Sequence, residues 1–208
     1  MAEPAVEELR RTEPDVEIVW RAFELRPEPV PTLDPGGEYL TRVWRDGVYP
    51  LAARLGITMR LPPIQPRSRR AHEAAKWARR EGRFDDFNAA LFRAFFERGE
   101  DIGDARVLVA LAAALGLDAD ALGRALDTRE FETEVLTDER DAELLRITGV
   151  PAFVASRRAM LFGVQTVAGL REIVARVRAS DTTEQSPDQI ETLPLPITPR
   201  RRGTPEDV

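Results

Sequence analysis

The sequence predicts an α/β protein in which a block of helices is inserted between two strand-forming regions. Three observations predict it. Near the front, apolar residues alternate at a spacing of two, with Val16, Ile18 and Trp20 set against Glu17, Val19 and Arg21. The middle of the chain repeats at helical spacing, as in Phe84, Phe87, Leu91 and Phe95. The period then returns to two at Pro151–Val154 and Ala159–Phe162, ahead of one last helical stripe.

Composition narrows the function classes. A chain of 208 residues with 43% hydrophobic and 32% charged residues suits one domain, or one domain carrying an insertion. The net charge of −6 argues against a nucleic-acid partner. No run approaches the ~20 apolar residues that span a bilayer, so no membrane partner is expected. The charged opening with Glu3, Glu7 and Glu8 does not read as a signal peptide, so the expectation is a cytoplasmic protein. There is no cysteine, which excludes disulfides, thiolate nucleophiles and cysteine metal sites from this chain. A single histidine, His72, gives little support to a Ser-His-Asp site or a multi-histidine metal site. Without a DxDxDG-type loop, no metal and no cofactor is expected.

Element by element, Ala2–Arg11 reads as a short helix broken at Pro14-Asp15, and a strand follows through Leu25. The prolines from Arg26 to Pro31 end any pairing, because proline lacks the donor a ladder needs. A helix over Glu38–Arg54 carries Tyr39, Val43, Tyr49 and Leu51 as apolar positions, with a disturbance at Gly47 and Pro50. Met59–Pro66 is a proline-rich connector, and Arg69–Gly82 is an alanine-rich helix. Next comes the phenylalanine stripe, read as helix packing. Asp104 caps a helix ended by Gly116, Asp118 caps another, and a longer helix runs from Arg129 to Arg146. The two short strands are joined by a turn at Ser156, Arg157 and Arg158. Thr166 is placed to cap the last helix, with Val167, Leu170, Val174 and Val177 on its inner face. From Ser180 onward, prolines among polar residues read as a disordered tail whose Arg200-Arg201-Arg202 run is a solvated cluster.

Four phrases in this order resemble the DsbA-like thiol-disulfide oxidoreductases of the FrnE and 2-hydroxychromene-2-carboxylate isomerase group. Val16-Glu-Ile-Val-Trp-Arg-Ala-Phe-Glu-Leu-Arg-Pro is similar to that family's second strand. The run from Ala90 to Asp104 looks like part of its helical insertion. Thr148-Gly-Val-Pro-Ala-Phe-Val resembles its cis-proline loop, and Phe162-Gly-Val-Gln the turn before its final helix. The resemblance implies a thioredoxin-like (DsbA-like) sheet with an inserted all-helical domain. Residues 1–35 and 147–179 are then the two parts of the thioredoxin-like domain, 36–146 the helical insertion and 180–208 the tail.

The departure is at the front. In that family a first strand leads into a Cys-x-x-Cys motif, and here Met1 falls at or inside the helix that follows it. A missing central strand leaves unpaired backbone groups at about 1–3 kcal/mol each, against a domain stability of about 5–15 kcal/mol. Two explanations are expected: the protein starts upstream of Met1, or the short form fills the gap by rearranging or by borrowing a strand in a homo-oligomer.

The resemblance also implies the site. Thr148, Gly149, Val150 and Pro151 form the substrate-facing loop if Val150–Pro151 is cis, with the Val150 backbone pairing to an extended peptide. The alternative is a trans proline opening a strand. Gln165 either bonds substrate or caps its own turn, and His72 either faces the cleft or packs without a chemical role. Trp20, Trp44 and Trp77 read as core or interface aromatics. Implied partners are an extended peptide or a small thiol or disulfide, with glutathione among them. Three functions stay open: a disulfide oxidoreductase scaffold inactive without its cysteines, a glutathione-dependent isomerase or kappa-type transferase relative, and a redox-inactive peptide-binding module.

Overall fold

A computed structural model describes residues 1–182 and 191–192, and contacts divide the chain into two compact units. One comprises Met1 and residues 19–148, the other residues 2–18 and the chain from Gly149 onward.

The helical unit is organised around α4 (Arg69–Arg80), which packs against α5 (Phe84–Phe96), α6 (Ala105–Ala114), α7 (Ala119–Asp127) and α8 (Glu132–Leu144). Its alanines explain that centrality: Ala71, Ala74, Ala75 and Ala78 are buried and small enough to let neighbouring helices approach. Trp77, Phe87, Leu108 and Leu122 fill the remaining volume, each fully buried. Side chains of that kind contribute roughly 1.5–3 kcal/mol apiece. Asp104 accepts the Arg106 N–H at 2.9 Å and Asp118 the Ala121 N–H at 2.8 Å, so both expected caps form. Gly116 closes α6 at φ 71°, a left-handed position that suits glycine. The helix expected over 129–146 is shorter, because Arg129 and Arg146 themselves lie at φ 52° and 56° and cannot continue it.

The helix expected over 38–54 is interrupted. α2 (Glu38–Val43) passes into a π-helical turn at Trp44–Val48 and then into α3 (Tyr49–Arg54). The extra residue in that turn changes which side is covered. Leu40, Trp44 and Ala52 are buried, whereas Tyr39, Val43 and Tyr49, expected on the apolar face, are exposed. Trp44 packs edge-on to Tyr49 at 5.4 Å and against Phe96 at 6.1 Å, which anchors the turn.

The period-two stretch Val16–Leu25 also differs from expectation. No strand among the described residues pairs with it. From Trp20 to Arg26 side chains replace a ladder: Arg79 donates to Trp20 O at 2.9 Å and Ala22 N–H donates to Asp138 at 2.8 Å. His72 Nε2 lies 3.3 Å from Phe23 O, and Arg67 donates to Arg26 O at 2.6 Å. Backbone polar groups removed from water need partners, and here long side chains supply them. Burial alternates on the even positions, with Ala22 and Glu24 covered, whereas Leu25, expected together with Phe23 to continue the apolar alternation, is 65% exposed.

In the second unit, α1 (Glu3–Thr12) packs on α9 (Val167–Thr182), and Arg178 of α9 reaches Glu13 at 2.9 Å and Asp15 at 2.5 Å. β1 (Ala152–Ala155) and β2 (Ala159–Phe162) are antiparallel, with Phe153 opposite Leu161. β3 (Glu191–Thr192) adds parallel to β2, giving the order β1-β2-β3. Ala159, Leu161, Ile173 and Val177 form this unit's core. The inner face of α9 carries Leu170, Ile173 and Val177, with Val174 only partly covered, one position off the expected stripe. α9 runs to Thr182, and the Arg200-Arg201-Arg202 cluster lies outside the described residues. No helix among the described residues is long and apolar enough to cross a membrane.

Candidate substrate-binding loop

The loop expected to face substrate is set by the hairpin that follows it. Gly163 N–H donates to Pro151 O at 2.8 Å, which extends the β1–β2 register by one pair. In an antiparallel ladder the residues that bond across alternate with those that do not. Pro151, Phe153 and Ala155 therefore point their backbone groups at β2, and Ala152 and Val154 point theirs at the outer edge. β1 is an end strand among the described residues, so that edge carries no partner strand.

Val150–Pro151 is a cis peptide, as is Glu28–Pro29. Val150 is 51% exposed and a Cβ added to Gly149 would meet nothing within 4 Å. The apolar approach to the β1 edge is thus open at its surface. Gln165 donates from Nε2 to Phe162 O at 2.7 Å and so braces the turn that holds Gly163 against Pro151. Thr166 Oγ1 accepts the Gly169 N–H at 3.2 Å and starts α9 immediately after it.

Gly149, Val150, Pro151 and Gln165 belong to one unit, and Pro151 and Gln165 meet at one hydrogen-bonded corner through Gly163 and Phe162. Thr148 and His72 belong to the helical unit. His72 lies partly buried on α4, with Nε2 turned to Phe23 O. Burial pushes the imidazole below its ordinary range, while the Glu24 charge, the Phe23 carbonyl and the Asp138 charge oppose that. A ring so held is neutral at pH 7 and donates a structural hydrogen bond.

Sequence reasoning missed a polar network in the helical unit. Asp138, 1% exposed, takes Lys76 Nζ at 2.5 Å, Arg21 at 2.8 Å and the Ala22 N–H. Arg69 pairs with buried Glu24 and stands 3.6 Å from both Glu132 and Glu139. One signal was available: Lys76 is the one lysine among 30 basic residues, set in a run of alanines. No group of metal-ligating residues forms among the described residues.

The family described as DSBA-like thioredoxin domain matches residues 1–175. The Bacillus subtilis protein YwbO, itself uncharacterized, is 34% identical over 144 residues, which are 67% of this chain and 72% of that protein. Among solved structures, a probable DsbA oxidoreductase from Streptomyces coelicolor is similar with a TM-score of 0.71 and 25% identity, over 93% of this chain and 92% of that one. A 2-hydroxychromene-2-carboxylate isomerase shares the fold at TM-score 0.68 and 17% identity, over 88% of this chain and 92% of its own.

Proposed function

This chain belongs to the DSBA-like thioredoxin domain family, and from that premise we propose that its 208 residues form the substrate-docking scaffold of a thiol-disulfide oxidoreductase and carry out no disulfide exchange themselves. Exchange requires a thiolate to attack a disulfide sulfur and a second thiol to resolve the mixed species. The sequence holds no cysteine to supply either. What remains is a wall: the Gly149–Pro151 loop and the outward backbone groups of Ala152 and Val154.

The reading rests above all on the outer edge of β1. An extended segment laid along it gains main-chain hydrogen bonds whatever its side chains are, which suits a site that handles many disulfide-bearing chains. The exposed Val150 at the head of that edge offers an apolar contact to the incoming segment. Carboxymethylated insulin B chain, which has no free thiol, is a suitable probe.

In amide-resolved NMR titration this peptide should shift the signals of Gly149, Val150, Ala152 and Val154. A copy N-methylated at alternate backbone amides should bind about tenfold more weakly, as expected for the loss of two hydrogen bonds of about 0.5–1.5 kcal/mol each. Shifts confined to other residues, or equal affinity for both peptides, would contradict docking at this edge.

A further inference from the structure

Three carboxyl groups converge on the Arg69 guanidinium inside the helical unit, a fourth, Glu73, feels its charge, and no part of the reading above uses them. Glu24 comes from the run between Val19 and Arg26 and is 6% exposed. Glu139 comes from α8, and one of its oxygens, Oε1, is buried without a hydrogen-bond partner. Glu139 sits beside Glu24, and burial together with that neighbouring carboxyl favours its protonated form. Arg69 bonds to Glu24 and lies 3.6 Å from Glu139 and from Glu132. Glu73 of α4 is 3% exposed, with Oε2 likewise buried and without a partner.

The nearby cations do not neutralise this group. From the Val19–Arg26 run, Arg21 is committed to Asp138 at 2.8 Å; from α4, Lys76 is committed to the same carboxylate at 2.5 Å. Arg129, just before α8, pairs with Glu132 at 2.9 Å. Arg70 and Arg129 act on Glu73 only through their charge, and His72 faces Glu24 across the Phe23 carbonyl. That leaves Arg69 alone in contact with both Glu24 and Glu139, one positive charge for two carboxyls.

We propose that Glu24 and Glu139, set beside Arg69, form a proton-operated clasp that fastens the Val19–Arg26 run to α4 and α8 when Glu139 holds a proton and loosens it when the proton leaves. Deprotonation puts two adjacent, largely buried carboxylates against a single guanidinium, and the repulsion falls on the residue that ties the run to α8. The remaining ties are the Arg79, Asp138, His72 and Arg67 contacts to its backbone. Burial, then the Glu24 hydrogen bond and charge, push the Glu139 carboxyl up to about 7, so release falls near neutral pH.

The sign follows from linkage. A carboxyl whose folded value lies above its unfolded value of 4.5 contributes stability that is full below that pH and is lost as pH rises through about 7. His72 has the opposite sign, since burial depresses it and its share of stability is lost as pH falls below its ordinary 6.5. Global unfolding therefore mixes the two, and a local measurement is needed.

Hydrogen exchange read by mass spectrometry on peptides covering residues 19–26 separates them. After correction for intrinsic rates, protection should fall at least about tenfold between about pH 6 and pH 8.5, one pKa unit being worth that factor. Peptides from α5 and α6 should keep theirs. Glu139→Gln removes the titrating carboxyl and should abolish the dependence. Should that variant not fold, carboxyl-carbon NMR on the unmutated chain decides by itself, with one glutamate titrating near 7. Protection at 19–26 that changes no more than in α5 and α6, a Glu139→Gln protein that follows the wild-type curve, or glutamates that all titrate below about 5.5 would each overturn the clasp.

Discussion

Asp138 shows how much one side chain can hold. Burial raises its carboxyl, but hydrogen bonds from Lys76, the Ala22 N–H and Arg21 more than offset that and keep it below its ordinary value of 3.8. The stability it contributes is therefore complete above that pH and is lost on acidification through the lowered value. Asp138→Ala strands Lys76, which is only 9% exposed, and should cost about 3–5 kcal/mol in urea unfolding at neutral pH. The double variant Asp138→Leu with Lys76→Met should recover much of that loss, because it leaves no unpaired buried charge. A double variant at least as unstable as Asp138→Ala would show that the ion pair is not what Asp138 supports. Beyond the lone Lys76 among alanines, this was not legible beforehand. Nothing local to Glu132–Leu144 marks Asp138 for burial, which is decided by a segment more than a hundred positions away, with Ala22 and Asp138 directly bonded.

At the scale of elements, local chemistry was a good guide wherever an element's own residues decide its shape. Asp104, Asp118 and Thr166 start their helices, and Gly116 ends one, by interactions within a few positions. The hairpin was equally readable, yet its turn residues are not the favoured ones. Ser156 and Arg157 lie at φ 49° and 58°, a left-handed pair that asparagine and glycine adopt at lower cost. Ser156→Asn with Arg157→Gly should stabilise the sheet unit by about 1 kcal/mol, seen as a rise in urea midpoint. An unchanged or lowered midpoint would mean that the turn is held by contacts of the native side chains. Thr166→Ala should move the other way, costing about 1 kcal/mol through the lost cap, with the same midpoint as readout. The failure at this scale is the Val16–Leu25 stretch. The disturbance expected at Gly47 takes the form of the π-helical turn, whose extra residue the sequence did not mark and which Trp44 anchors by packing on Phe96 of α5. A strand exists only with a neighbour, and the alternation in Val16–Leu25 specifies a face, not a partner.

For the whole molecule, two units each bury their own core, one alanine-lined and helical, the other a hairpin under α9. The fold class was legible because four phrases spaced along the chain matched one family, and the family is now established over residues 1–175. The cis bond at Val150–Pro151 was legible through its phrase, and the turn that Gln165 braces through its place before α9. The resemblance left His72 open between cleft and packing, and its ring lies against the Phe23 carbonyl. The charged network stayed hidden because burial of Glu24, Glu139 and Asp138 depends on tertiary packing. The central proposal is that this chain offers an edge to an extended segment and has no thiol to react with it. The most direct measurement is insulin reduction followed by turbidity, with the 208-residue protein in dithiothreitol against dithiothreitol alone. The two traces should coincide at every protein concentration, and an acceleration that grows with added protein would contradict the account.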